Sequence, residues 1–282
     1  FHGPSHNYVL EGAVCPPPDQ DNPAALRDTG ASGSWKAVWK ISDTYRFAAY
    51  SPGHPDETLL IADEWGQRDS RNADRGATLP YFFRRRTGAQ VDAFVQVFAG
   101  FEEGRELVQS VKVTTPRDHA VIVEITHAGG RDIVLFGDGS RLQMTSAPVA
   151  SDGVLAVVAG LPAPGQSPPT PPTALLLGGA ELQAPGVALS NSRGEWSGTI
   201  AAQASQDGDS WFELAGDALP TPDQFCGQAL IVTGDDAISR AYPVIRVESM
   251  GQGALKVYTR AAYQGFQARP ATTWRLYALA VK

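Results

Sequence analysis

The sequence predicts an all-β protein in which a large antiparallel β-sandwich is followed by a smaller β domain. Short segments rich in β-branched and aromatic residues recur along the 282 residues, and Gly, Pro, Asp or Asn bounds each of them. Helical periodicity of apolar residues is absent. Regularly spaced strands without intervening helices are typical of a sandwich. We therefore assign residues 1–160 to the sandwich and residues 174–282 to the second β domain.

The predicted strands follow one another at short intervals. Trp35 and Trp39 on the first of them are expected in the core rather than on a sugar-stacking surface. The sandwich strands are Trp35–Ile41, Tyr45–Tyr50, Thr58–Ala62, Ala77–Phe83, Ala93–Phe98, Leu107–Val113, Val121–Thr126, Ile133–Phe136 and Val154–Val158. The later strands are Ala174–Leu177, Glu195–Ala202, Trp211–Leu214, Gln228–Thr233, Pro243–Val247, Leu255–Thr259 and Thr273–Val281.

A proline-rich segment, residues 161–173, interrupts this series with the sequence Leu-Pro-Ala-Pro-Gly-Gln-Ser-Pro-Pro-Thr-Pro-Pro-Thr. Such a composition predicts an extended, polyproline-like conformation that cannot support a sheet ladder. The segment is either a linker between domains or a long loop within one continuous β structure, and the sequence favours neither.

Composition narrows the function classes. Charged residues make up 19% of the chain and the formal net charge is −7, which argues against general binding of nucleic acid or membrane surfaces. A polyanion can still bind at a confined basic patch. The 29 glycines and 21 prolines favour a secreted or periplasmic bacterial protein. The two cysteines, Cys15 and Cys226, are compatible with a disulfide or with two free, buried thiols.

One such basic patch is predicted where an aromatic strand ends in Arg84, Arg85 and Arg86. Guanidinium groups match carboxylates and sulfates through paired donors. Because side chains alternate along a strand, Arg84 and Arg86 are expected to share the ligand-facing side, and Arg85 to point away and be structural. The alternative is a solvated strand end whose charges discourage aggregation.

The stretch from Asp74 to Arg86, with its turn and its Ala-Thr-Leu-Pro-Tyr strand, resembles the β-rich C-terminal half of heparinase II/III-like polysaccharide lyases. Residues 94–98 and 108–112 are similar to the next strand pair of that family. Residues 5–12, Ser-His-Asn-Tyr-Val-Leu-Glu-Gly, resemble its "H-N-T-V-x-x-D-G" strand, with Tyr8 in place of Thr and Glu11 in place of Asp. The resemblance covers residues 1 to about 145.

This resemblance implies a lyase that cleaves an acidic, uronate-containing polysaccharide by β-elimination. Carried over residue by residue, it implies His6 as the catalytic histidine and Asn7, Tyr81, Arg84 and Arg86 as substrate-binding residues. In the family an α/α toroid domain precedes the β half and supplies the tyrosine base. We therefore expect an upstream toroid as partner, and little or no activity of these 282 residues by themselves. The alternative is a non-catalytic glycan-binding or structural β-sandwich.

The resemblance also implies a metal, typically zinc. Two imidazoles and a carboxylate suit zinc. The candidates are His6 or His2, Asp21 or Asp19, and His54. His54 lies in a Ser-Pro-Gly-His-Pro-Asp turn, and the alternative is that it is an exposed turn residue.

Overall fold

The computed structural model describes residues 1, 3–31, 33–65, 78–87, 93–144, 147–163, 170–206, 209–216, 218–225, 227–235, 237–251, 253–260 and 271–282. Strands dominate these ranges, and the helical structure within them is one 3₁₀ turn, Pro222–Phe225. The prediction of an all-β fold is therefore confirmed. None of the described segments is a helix with the length and apolar character needed to span a membrane.

The chain divides into two compact units. The first comprises Phe1–Val134 and Gly160–Pro169, and the second comprises Leu135–Ala159 and Thr170–Lys282. The strands that begin in the first unit are β1 Tyr8–Glu11, β2 Arg27–Asp28, β3 Trp35–Lys40, β4 Tyr45–Ser51, β5 Glu57–Trp65, β6 Thr78–Arg86, β7 Val97–Glu102, β8 Val108–Arg117, β9 Ala120–His127 and β10 Gly130–Phe136.

Three antiparallel layers build the first unit. A four-stranded sheet with the order β1-β3-β4-β7 has a three-stranded sheet, β2-β5-β6, against one face. The hairpin β8-β9 packs against the other face. The middle sheet is therefore covered on both sides.

The strands of the middle sheet alternate between two cores, as their period of two requires. Trp35, Ala37 and Trp39 of β3 face the β2-β5-β6 sheet and pack with Ile61 and Phe82. Tyr50 of β4, Phe101 and Val108 form the second core with the β8-β9 hairpin. As predicted, Trp35 and Trp39 are core residues, at 3% and 0% exposure.

Phe1 and Gly3 lie beside β6. The amide of Phe82 donates to the carbonyl of Phe1 (2.8 Å), and the amide of Gly3 donates to the carbonyl of Pro80 (2.8 Å). The rings of Phe1 and Phe82 stack with centroids 5.1 Å apart. The space around Gly3 is filled, because a Cβ there would lie 2.6 Å from the Trp39 ring.

The second unit contains a six-stranded closed barrel and two smaller groups of strands. Its strands are β11 Leu142–Gln143, β12 Ala150–Ser151, β13 Leu155–Leu161, β14 Thr173–Leu177, β15 Glu181–Ala184, β16 Val187–Ser190, β17 Glu195–Gln206, β18 Asp209–Ala215, β19 Ala229–Gly234, β20 Ser239–Gly251, β21 Ala254–Arg260, β22 Ala271–Tyr277 and β23 Leu279–Val281. The barrel order is β17-β18-β21-β20-β19-β22, and Phe212, Leu214, Phe225 and Trp274 fill its interior. Strands β11, β12, β15 and β16 form a small sheet, and β14 pairs with both β13 and β23.

The strand pattern differs from the prediction in several places. The short strands β2, β11, β12, β15 and β16 were not predicted, and the ends of the proline-rich segment, Leu161 and Thr173, belong to β13 and β14. Strand β7 begins at Val97 rather than at Ala93, because the carbonyls of Ala93 and Val95 accept hydrogen bonds from arginine side chains instead of a neighbouring strand. The closure of the later strands into a barrel was not predicted either, since strand spacing does not reveal which strands pair. Residues 164–169 of the proline-rich segment lie outside the described ranges.

The first testable prediction concerns the core on the inner side of β6. Phe82 is 2% exposed and its neighbour Phe83 is 41% exposed. We expect Phe82→Ala to lower the free energy of unfolding by about 3–5 kcal/mol, because it removes a buried aromatic ring and leaves a cavity. Phe83→Ala is the matched control, with an expected change below about 1 kcal/mol. Urea unfolding of both variants measures the difference, and equal losses would contradict this assignment of the two faces of β6.

Candidate functional site

Strand β5 carries a carboxylate at each end of its inner face. Glu57, Leu59, Ile61 and Asp63 occupy alternate positions on the side that packs against the middle sheet, and all four are buried. The two carboxylates lie six positions apart, which corresponds to about 20 Å along a strand. A buried carboxylate is unfavourable unless it is paired and hydrogen-bonded. Each end of β5 therefore requires cationic partners.

At the Asp63 end the partners are one histidine and one arginine. His6 Nε2 lies 2.9 Å from Asp63 Oδ1, and Arg27 Nη2 donates to Asp63 Oδ2 at 2.7 Å. The Asp63 side chain is 6% exposed, that of Arg27 is 12% exposed, and that of His6 is 47% exposed. An ionised carboxylate accepts hydrogen bonds only, so His6 Nε2 carries the proton in this contact. The arrangement fixes an accessible imidazole by means of a buried anion.

Tyr8 and Cys15 adjoin this pair. The Tyr8 hydroxyl lies 3.2 Å from Cys15 Sγ, and the Tyr8 ring packs on Trp39 and Phe82. Burial raises the pKa of Tyr8 well above its usual range, and the contact with Cys15 and the charge of Asp63 act in the same direction. Tyr8 is therefore a hydroxyl donor and not a phenolate base. We name His6, Tyr8, Cys15, Arg27 and Asp63 the His6 cluster.

At the Glu57 end both partners are arginines. Arg84 Nε and Nη2 donate to the two carboxylate oxygens of Glu57 at 2.8 and 2.9 Å, and Arg86 Nε donates at 3.0 Å. The two arginine side chains are 7% and 8% exposed. The Phe94 ring lies 5.3 Å and 4.7 Å from the two guanidinium carbons. This end is a closed ionic cluster that fastens β6 to β5.

The arginine prediction is confirmed in its geometry. Arg84 and Arg86 share a face, and Arg85 lies on the other face and is exposed. The sequence predicted that Arg84 and Arg86 would face a ligand and that Arg85 would be structural. The structure instead buries the face that Arg84 and Arg86 share and exposes Arg85. Tyr81 stacks on Phe83 and lies on the face opposite to Arg84 and Arg86, so these three predicted substrate-binding residues do not meet on one surface.

The residues predicted to hold a metal are not brought together. His54 precedes β5 at the Glu57 end, and its Nδ1 accepts a hydrogen bond from the amide of Asp56, whereas His6 lies at the Asp63 end. Asp21 is exposed in a loop in which its amide donates to Asp19. Within the described ranges, no group of three or more His, Cys, Asp and Glu side chains has an arrangement that could hold a metal ion. His2 lies outside those ranges, and the zinc stays a prediction.

Asn7 has a different environment from His6. It lines a cavity of about 460 Å³ together with Val9, Lys36 and Phe101, on the side of the middle sheet that faces β8. Its predicted role in substrate binding stays a prediction. Of the two alternatives for the cysteines, Cys15 takes the free thiol, but it is exposed rather than buried, and Cys226 lies outside the described residues.

Sequence reasoning did not assign Asp63 or Arg27 to the site. A signal was present, because Asp63 continues the alternation of Leu59 and Ile61 and must therefore face the core. A carboxylate at such a position predicts a buried cationic partner. Nothing local indicated Arg27 as that partner, since it lies 36 positions earlier in the chain.

The second prediction concerns the ionic cluster formed by Glu57, Arg84 and Arg86. Glu57→Gln leaves two buried guanidinium groups without their anion, and we expect it to lower the free energy of unfolding by about 3 kcal/mol or more. Glu64→Gln is the matched control, since Glu64 lies on the same strand but on the opposite face. Urea unfolding is again the measurement. Equal stability of the two variants would show that these ion pairs do not fasten β6 to β5.

The third prediction is an alkaline loss of stability. Because burial raises the pKa of Tyr8, the folded state holds the phenolic proton more tightly than the unfolded chain. This stabilisation is present below the ordinary tyrosine pKa of about 10 and is lost as the pH rises above it. We expect the free energy of unfolding to fall less steeply above about pH 10 in Tyr8→Phe than in the parent. Tyr45→Phe, which removes an exposed hydroxyl, serves as the control, and identical slopes for Tyr8→Phe and the parent would contradict the assignment.

Comparison with known proteins adds no family assignment. No family model matches the chain, and the search of curated proteins gives no significant match. The function is therefore argued from the geometry of the His6 cluster.

Proposed function

We propose that the chain is the β portion of a heparinase II/III-like polysaccharide lyase that cleaves an acidic, uronate-containing polysaccharide by β-elimination. One observation carries the proposal, namely that a half-exposed imidazole, His6, is held by a buried carboxylate that a buried arginine also neutralises. Asp63 orients His6, and the His6 side chain is accessible to a polymer in solvent.

The bond changes of β-elimination set the requirements for this site. The C5–H bond of the uronate breaks, its electrons form the C4–C5 double bond, and the bond from C4 to the bridging oxygen breaks as that oxygen takes up a proton. A base must accept the C5 proton, and positive charge or hydrogen bonds must neutralise the uronate carboxylate. His6 has Nδ1 available for substrate because Nε2 is bonded to Asp63.

Arg27 supports the same assignment. Its Nε is buried and has no hydrogen-bond partner among the described residues, although its Nη2 holds Asp63. Because this Nε is closed to solvent, Arg27 acts on the His6 site by its charge, through Asp63, rather than by direct contact with a ligand at Nε. Arg84 and Arg86 are already engaged by Glu57, so the proposal assigns neutralisation of the substrate carboxylate to His6 and Arg27 instead.

Tyr8 does not supply the base in this proposal, since burial keeps its phenol protonated. The tyrosine base is assigned to an α/α toroid domain of the same protein, in keeping with the family resemblance. These 282 residues then bind the polymer but turn it over slowly or not at all, because removal of one catalytic member commonly costs several powers of ten in rate.

The fourth prediction tests His6 against a histidine of similar exposure. His6 and His54 side chains are 47% and 45% exposed, and both lie in the first unit. We expect His6→Ala to weaken binding of alginate, heparan or ulvan oligosaccharides about tenfold, which corresponds to the loss of one charge-assisted hydrogen bond. His54→Ala should bind as the parent does. Isothermal titration calorimetry measures the affinities.

Two outcomes would contradict the proposal. Uronate oligosaccharides that bind the parent and the His6→Ala variant equally would favour a non-catalytic β-sandwich module. Rapid formation of the unsaturated, ultraviolet-absorbing product by the 282-residue chain would show that the base lies within it.

A further inference from the structure

A groove in the first unit lies on the face of β1 and β3 that carries Val9, Glu11, Lys36 and Val38. It consists of a cavity of about 410 Å³ and a cavity of about 460 Å³, and both linings include Glu11, Lys36 and Glu106. The two cavities therefore meet at the Lys36 side chain. We name the combined space the Lys36 groove. Its volume lies in the range of sites that take small organic ligands.

A fixed polar network occupies the junction of the two cavities. Lys36 Nζ lies 3.1 Å from Glu11 Oε2 and 2.9 Å from Glu106 Oε1. The Tyr50 hydroxyl donates to the same Glu106 oxygen at 2.9 Å, and Tyr50 is 8% exposed. Burial raises the pKa of Tyr50 well above its usual range, and the hydrogen bond to Glu106 acts in the same direction. The hydroxyl is therefore a permanent donor that holds Glu106 in place.

The two carboxylates of this network keep acceptor capacity at the surface. The side chains of Glu11 and Glu106 are 56% and 39% exposed, whereas that of Lys36 is 19% exposed. A carboxylate has about four acceptor positions, and Lys36 and Tyr50 use only part of them. Donors that enter the groove thus meet oriented acceptors.

The charges in the groove balance one another. Cations and anions that line the larger cavity are equal in number, and they are Lys36, Lys40, Arg46, Glu11, Glu103 and Glu106. Each cation is already in contact with a carboxylate, since Lys40 pairs with Asp43 and Arg46 pairs with Glu103. A polyanion gains no net attraction from such a surface.

The remaining lining is part apolar and part neutral polar. Val9, Val38 and Phe101 line the larger cavity, and Ser34, Ser51, Gln109 and Ser110 line the smaller one. Neighbouring donors and acceptors match a sugar ring, because each of its hydroxyls both donates and accepts.

We propose that the Lys36 groove binds a short segment of an uncharged oligosaccharide, with sugar hydroxyls on Glu11, Glu106 and Lys36. The ligand class differs from the acidic polymer of the proposed lyase reaction, and the groove does not involve His6. The inference goes beyond the proposed function and stands without it.

The test is isothermal titration calorimetry of the 282-residue chain with neutral probes, namely hexasaccharides of β-linked glucose, mannose, xylose and galactose. We expect at least one of them to bind saturably. Glu106→Gln removes one charged acceptor and should weaken that binding about tenfold, and Gln109→Ala should weaken it without touching the ionic network. Glu102→Gln is the control, because Glu102 is an exposed acid of the same segment that pairs with Arg105 and does not line the groove. Circular dichroism confirms that each variant is folded.

Several results would overturn the inference. One is the absence of saturable binding by all four neutral probes. Another is equal affinity of Glu106→Gln, Gln109→Ala and the parent, or an equal loss in Glu102→Gln. Binding of an alginate hexasaccharide alone, lost in His6→Ala, would overturn the groove while supporting the proposed function. Binding of a neutral probe that His6→Ala leaves intact, together with no uronate binding, would support the groove and contradict the lyase proposal.

Discussion

The burial of two carboxylates on the inner face of β5 is the constraint on which the first unit depends. Glu57 and Asp63 take core positions on either side of Leu59 and Ile61, and neither can stay there without positive charge beside it. Their partners come from β6, β2 and the segment before β1. The pairing therefore determines where these three elements attach, in addition to the apolar contacts between the sheets.

The buried carboxylates at the two ends of β5 have different partners. Glu57 is bound by two arginines, and Asp63 is bound by one arginine and one histidine. At Glu57 both cations are arginines, and main-chain carbonyls and the Phe94 ring complete their surroundings. At Asp63 the second partner is His6, whose side chain is 47% exposed. An arginine in that place would hold the sheet equally well. A half-exposed imidazole held by a buried carboxylate is what makes this end the candidate site.

Sequence patterns predicted much of the fold and part of the site. Strand existence follows from composition and turn residues, and the alternation rule placed Arg84 and Arg86 on one face and Arg85 on the other. The rule does not say which face is buried. That depends on Glu57, which lies 27 positions before Arg84 and becomes its neighbour only through the register of β5 and β6. The sequence did not predict barrel closure in the second unit for the same reason, because the pairing of β19 with β22 joins strands that are far apart in the chain.

Alternate residues of one strand in the middle sheet face the two candidate sites. On β3, Trp35, Ala37 and Trp39 face the core beside the His6 cluster, while Lys36 and Val38 face the groove. In the segment that precedes β1, His6 contacts Asp63, and the next residue, Asn7, lines the groove. A change of register by one residue would exchange the two faces, so the packing of Trp39 fixes the positions of both sets of polar groups. The hydrogen bond from Trp39 Nε1 to the carbonyl of Ser5 (3.0 Å) strengthens this coupling, because it holds the residue next to His6. A site is preorganised when an adjacent core holds its polar groups in place. Here one core, around Trp39, holds the polar groups on both faces of the middle sheet.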